Sequence, residues 1–214
     1  MTNQPPGEME AFGIASDIRV SDLENPHWHS ASPVAITRRW SGEEAPAERH
    51  AEARILWTNE ALCVRFVCRQ HEPLVVSASP ILDEKTIGLW NRDVCEIFIA
   101  PNAADASRYF EFEAAPTGEW VDLAIRFRGA TRETDEKFQS GMTVFASVAG
   151  EQLTIAMRIP WTDLIPKPEK NEKWRANLFR CVGTGNERYL AWQPTYSAEP
   201  NFHVPDAFGW LHFI

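Results

Sequence analysis

No apolar run in this chain of 214 residues extends beyond a few positions. A membrane-spanning helix needs about 20, so none is expected. Long amphipathic helical windows are missing too, as are internal repeats and low-complexity linkers. The phosphate-cradling patterns G-x-x-x-x-G-K-[ST] and G-x-G-x-x-G do not occur, nor does the nucleophile elbow G-x-S-x-G, so nucleotide chemistry and serine hydrolysis have no motif to stand on. The short stretch Gly183-Thr184-Gly185-Asn186 has no helical pattern after it and reads as a turn. The first residues, with Pro5 and Pro6, carry neither a basic n-region nor an apolar h-region, so no signal peptide is expected. The chain therefore reads as cytoplasmic, or as extracellular if a leader has been removed.

Positive charge is the minority. Lys and Arg total 21 against 30 Asp and Glu, a formal net charge of −9. Such a field repels phosphate backbones and anionic lipid, which excludes nucleic-acid and membrane-surface partners as general readings and leaves neutral ligands open. Cysteines are few: Cys63, Cys68, Cys95 and Cys181. They form no CxxC and no paired zinc-ligand spacing. Each lies in an apolar stretch, where buried reduced thiols are expected. Cys63 and Cys68, five apart on one strand, face opposite sides and cannot bridge.

What the chain does have is alternation. In residues 61–70, Leu62, Val64, Phe66 and Cys68 share a face. In 107–115, Phe110, Phe112 and Ala114 point inward, while Tyr109, Glu111 and Glu113 point outward. In 152–159, Leu153, Ile155, Met157 and Ile159 are buried. This period-2 pattern marks half-buried antiparallel strands. Further strands are expected near 35–40, 53–57, 93–100, 119–127, 143–149, 173–182, 188–193 and 209–213. Gly150-Glu151 makes a tight hairpin, and one helical turn is expected at 161–164 after Pro160. The helices that a parallel sheet needs between its strands are missing. The expected fold is all-β, an antiparallel β-sandwich of jelly-roll type with little helix.

Nine tryptophans are the other surplus. Two loops carry them in positions open to a ligand: Asp83–Asp93, which includes Trp90, and Gln193–Gly209, flanked by Trp192 and Trp210 and holding Tyr196, Phe202 and His203. An indole at a strand end can stack on the apolar face of a pyranose while nearby carboxylates, amides and arginines bond its hydroxyls.

The run Trp90-Asn91-Arg92-Asp93-Val94-Cys95-Glu96-Ile97-Phe98-Ile99 resembles the W-x-x-D-x-x-E-I-F pattern of carbohydrate-binding module family 9 and its DOMON-like relatives. Later pieces resemble it in order: Tyr109–Phe112, Ile159-Pro160-Trp161, Trp174–Arg180, and Trp192 followed by Phe208-Gly209. The resemblance spans roughly residues 30–213. It implies a sandwich over 31–214, preceded by a partly irregular extension over 1–30, that binds mono- or oligosaccharides between two aromatic walls without catalysis. Trp90 is then the first stacking indole and Glu96 a carboxylate that bonds hydroxyls. Trp192 is the candidate second wall, although Tyr189 stands where the family carries Asn. Arg180, Arg126, Tyr196 and His203 complete the expected site. Relatives often hold structural calcium. The acidic loop residues Asp83, Glu84 and Asp105 lack EF-hand spacing, so no metal ligands and no cofactor are assigned.

Two other readings stay open. A glycoside hydrolase would use paired carboxylates, and Glu111 and Glu113 on one strand face would sit roughly 7 Å apart. Strand alternation alone, however, explains them as a solvated face. A haem-binding domain of DOMON type would need axial ligands facing one cavity, for which His203 and Met157 are the candidates.

Overall fold

Period-2 patterning carries most of the fold. The computed structural model describes residues 6–214, so Pro5 lies outside the described residues. The strands are β1 (Glu8–Gly13), β2 (Val34–Ile36), β3 (Arg38–Arg39), β4 (Ala51–Trp57), β5 (Ala61–Arg69), β6 (Val94–Ala100), β7 (Arg108–Ala114), β8 (Trp120–Arg128), β9 (Thr131–Asp135), β10 (Thr143–Ala149), β11 (Gln152–Pro160), β12 (Lys173–Cys181), β13 (Tyr189–Ala191) and β14 (Gly209–Phe213). Among the described residues there is no α-helix, only 3-10 turns of three to five residues.

Hydrogen bonding runs in the order β10-β11-β5-β4-β1-β14-β12-β6-β7-β8-β9. The path folds over into two facing layers, and β1 and β14 join them. β1 lies within the stretch expected to be partly irregular. It pairs in parallel with both β14 and β4, while the other named strand pairs are antiparallel. The sheet is therefore mixed at its centre. The hairpin through Gly150 closes β10 on β11 with Ala149 opposite Gln152, and Gly150 takes the positive φ of 60° that such a turn requires.

The main core lies between the layers. Ile55, Val64, Phe66, Ile155 and Met157 from one layer meet Ile97, Phe112, Trp174, Leu178 and Phe213 from the other. Both outer faces are covered as well. The connection after β1 lays Ile18 and Trp28 over Leu56 and Cys63, and Arg65 stacks on the Trp28 ring at 5.2 Å. On the opposite outside, Val94, Phe98, Tyr109, Val121, Leu123, Ile125 and Phe179 form a second apolar cluster under Phe202 and Phe208. The long loop between β13 and β14 is thus a packed lid over the outer face of the second layer. Phe202 stacks on Phe179 with centroids 4.0 Å apart, and Phe208 meets Tyr109 edge-on at 5.2 Å. Each such pair adds about 0.5–1.5 kcal/mol beyond the area it buries.

Two expectations are corrected. Residues 161–164 form no helical turn; the chain bends over 163–165. The Trp161 amide donates to the Glu60 carbonyl at 3.0 Å, which extends the strand pairing where a helix would have begun. Glu111 and Glu113 do point away from the sandwich interior, but they are not solvated. They are 3% and 0% exposed, because the lid covers that face.

Candidate functional site

The outer face of the second layer carries a cavity of about 350 Å³, within the range of roughly 300–1,000 Å³ common for small-molecule sites. Its floor comes from alternate positions of neighbouring strands: Glu96 and Phe98 on β6, Glu111 on β7, Leu123 on β8 and Cys181 on β12. Its walls are Trp90 on one side, Tyr189, Asn201, Phe202 and His203 of the lid region on another, and Arg132, Thr134 and Glu136 at β9.

The W-x-x-D-x-x-E run explains how one wall is held. Gly88, at φ 85°, starts a 3-10 turn over Leu89–Asn91. Leu89 is fully buried and anchors the turn, while Trp90 stays 38% exposed. Asp93 fixes the turn's exit: its carboxylate accepts from the Gly183 amide at 2.8 Å and the Val75 amide at 3.2 Å. Arg92 pairs with Glu119 at 2.9 Å, and Arg188 donates to the Arg92 carbonyl. Trp90 therefore projects from a braced turn at a strand start.

The floor is acidic. Glu96, Glu111 and Glu113 each offer a carboxylate oxygen, and these oxygens all lie within 4.8 Å of one another. Burial pushes the Glu96 carboxyl up to about 8, and neighbouring Glu111 adds to the effect. Burial raises Glu111 as well. Glu113, buried beside both, is held well above the usual carboxylate range. The Cys181 thiol donates to Glu96 at 3.4 Å, and burial keeps that thiol protonated. His203 stands beside the triad. Its Nδ1 bonds the Tyr109 hydroxyl at 2.8 Å, and its Nε2 lies 3.9 Å from Glu111. Burial pushes His203 down to about 3, so the imidazole is neutral at physiological pH.

The residues expected from sequence divide. Trp90, Glu96 and His203 line one cavity. Trp192 does not. Its indole packs on the main core, so close to Gly7 and Gly209 that a Cβ on Gly209 would lie 2.5 Å from the ring. Arg180 points into the sandwich, where it donates to the carbonyls of Arg49 and His50 and to Gln70 at 2.7–3.1 Å. Alternation puts Arg126 on the β8 face opposite Leu123 and Ile125, away from the cavity. Tyr196 is 53% exposed and lies against Gly42. The haem pair fails on geometry, since Met157 belongs to the core between the layers while His203 belongs to the outer cavity. The loop acids do not converge either: Asp105 is tied to Ser107 at 2.5 Å, and the triad is the convergent acidic group among the described residues.

Sequence reasoning weighs Glu111 and Glu113 only as a catalytic pair or a solvated face, and does not place Tyr109, Arg132 or Thr134 in the site. A signal existed for the first three. Val121, Leu123 and Ile125 stand opposite Glu113, Glu111 and Tyr109 on β8, and an apolar partner row marks a covered face.

The family model described as carbohydrate family 9 binding domain-like matches residues 22–214. The chain belongs to this family. Among solved structures, a protein from Bacteroides uniformis superposes with a TM-score of 0.76 at 16% identity, covering 98% of this chain and all of that one. A family 9 module from Caldicellulosiruptor kristjanssonii in complex with glucose superposes at 0.65 with 14% identity, covering 97% of this chain and 96% of that one. The same organism's module in complex with cellotriose gives 0.66 at 13% identity, covering 97% and 93%. In sequence, an extracellular protein of Arthroderma benhamiae is 25% identical over 177 residues, 75% of this chain and 77% of that protein. The family 9 chain described here thus shares its fold with these solved structures.

Proposed function

We propose that this chain is a non-catalytic sugar-binding module that takes a mono- or oligosaccharide into the cavity between Trp90 and the 193–208 lid. The observation that carries the reading is Trp90, an exposed indole on a braced turn at the mouth of a polar cavity. Its flat face suits the C–H side of a pyranose, worth on the order of 1 kcal/mol for one aromatic contact. Tyr189 and Phe202 form the facing wall, in the role sequence reasoning gave to Trp192. Glu96 and Glu111 can accept from sugar hydroxyls, and Arg132 and Asn201 can donate to them. The family's name and the glucose and cellotriose held by the Caldicellulosiruptor modules support the ligand class.

The close carboxylates give the enzymatic reading one argument, because retaining glycosidases place two carboxyl groups about 5–5.5 Å apart. Those groups must flank the scissile bond. Here Glu96 and Glu111 rise from one floor, and Glu113, fully buried beside them, does not line the cavity. Calorimetric titration of glucose and cellotriose tests the proposal. Micromolar to millimolar binding is expected, weakened about tenfold in Trp90→Ala. Equal binding by both proteins, or none by the wild type, overturns the site. Release of reducing ends from oligosaccharides overturns the non-catalytic reading.

A further inference from the structure

We propose that Glu96, Glu111 and Glu113 hold a divalent cation at the floor of the cavity. This goes beyond sugar binding and stands whether or not a sugar enters. The argument begins with how this protein treats its other buried acids. Asp122, fully buried, accepts from the Ser140 amide and hydroxyl at 2.6 and 2.7 Å and pairs with Lys85 at 2.6 Å. Glu119, 1% exposed, is met by Arg92 at 2.9 Å and by the Thr117 hydroxyl at 2.8 Å. Asp93, equally buried, accepts two backbone amides. Each buried carboxylate outside the cavity thus has donors built for it.

The triad does not. Both oxygens of Glu113 are buried without a hydrogen-bond donor, and so is one oxygen of Glu111. Among the described residues, no Lys or Arg comes within 4.0 Å of any of the three carboxylates; the one ion-pair contact is His203 at 3.9 Å from Glu111. Buried carboxylates in native proteins are paired or bind metal. The unpartnered oxygens of Glu113 point into a cluster whose members sit on two adjacent strands, with Glu96 directly opposite Glu113. This placement rests on the sheet backbone rather than on loops.

The donor set selects the ion class. Three carboxylate oxygens suit a hard divalent cation, with metal–oxygen distances of about 2.3–2.6 Å for calcium. Three carboxylate oxygens that all lie within 4.8 Å of one another can converge on one such ion. The cavity side, which Glu96 and Glu111 line, leaves room for water to complete the shell.

The test uses the whole chain after chelator treatment, at neutral pH. Manganous ion is titrated while the electron paramagnetic resonance signal of the free ion is followed, and calcium is titrated by calorimetry and by thermal melting. One equivalent bound, with a raised melting temperature, is the expected result. Glu113→Gln and Glu111→Gln should each weaken binding about tenfold or more, since affinity follows the ligand charge count. Circular dichroism identifies any variant that fails to fold, and the other variant then carries the test. Full retention of the free manganese signal by the wild type, with melting unchanged by calcium, overturns the proposal and leaves protons as the only occupants. Equal binding by the wild type and a folded variant also overturns it, because the ion would then sit elsewhere. None of these readouts involves sugar, so failure of the cation site and failure of the sugar site are separately visible.

Discussion

Glu96 on β6 and Glu113 on β7 occupy directly opposed positions of one antiparallel ladder. Like charges at such a pair repel at short range, and here a third carboxylate, Glu111, joins them under a lid. Three carboxyls are thus packed together at the cavity. That is the pattern expected when local stability is given up for a site.

Stability should therefore depend on pH in a particular direction. The Glu96 carboxyl is raised from 4.5 when unfolded to about 8 when folded. Between those values the folded state keeps a proton the unfolded state has lost, so stability falls as pH rises through this window and levels off above it. Glu111 and Glu113 are raised too and add to the fall, while Cys181 and Arg188 moderate it. His203 acts oppositely: lowered from 6.5 to about 3, it contributes stability above 6.5 that is lost as pH falls toward 3. In chelator, the melting temperature should be highest at mildly acidic pH. By about pH 9 it should drop by roughly 5–15 °C, on the order of 2–4 kcal/mol at about 1.4 kcal/mol per unit of pKa difference. Glu96→Gln should flatten the alkaline limb. A melting temperature unchanged between mildly acidic and alkaline pH would contradict this account.

Much of this was legible beforehand, and the misses have physical causes. Alternation in Leu62–Cys68 and Leu153–Ile159 reads directly because each strand buries one face. The motif from Trp90 to Glu96 reads because the braced turn, the Asp93 that ties its exit and the floor carboxylate Glu96 follow one another within seven residues. Glu8–Gly13 was passed over because two of its six residues are acidic and its parallel pairing with β14 and β4 is a long-range fact. Glu111 and Glu113 were assigned to solvent because strand period tells which face a residue takes and not what covers that face. The cover comes from Phe202 and Phe208, some ninety residues later. Trp192 reads as the second wall through the family resemblance. Nothing local reveals that two glycines, Gly7 and Gly209, open a slot that its ring fills.

The two tryptophans should accordingly separate in stability. Trp192 packs on the main core, whereas Trp90 leaves over a third of its surface in water. Trp192→Ala should cost about 3 kcal/mol or more through the cavity it leaves. Trp90→Ala should stay within about 0.5 kcal/mol of the wild type. Urea unfolding of the two variants measures both, and a Trp90→Ala loss as large as that of Trp192→Ala would mean that Trp90 is a core residue.

The slot around Trp192 gives a sharper test. A Cβ at Gly209 would lie 2.5 Å from Cη2 of the Trp192 ring and 2.6 Å from the Gly7 carbonyl oxygen. Real Cβ atoms do not approach so closely, so Gly209→Ala must shift either the indole or the β1–β14 join. Overpacking of this kind costs typically about 1–3 kcal/mol. The Trp210 amide bonds the Gly7 carbonyl at 2.9 Å, so the backbone is constrained and the ring has to move. Combining Gly209→Ala with Trp192→Ala removes the ring but not the carbonyl. The double variant should therefore be more stable than the sum of the two single losses predicts, by about 0.5–3 kcal/mol, the range found for residues in contact. Strict additivity in denaturant unfolding would show that the indole does not occupy this slot, and the packed role of Trp192 would have to be given up.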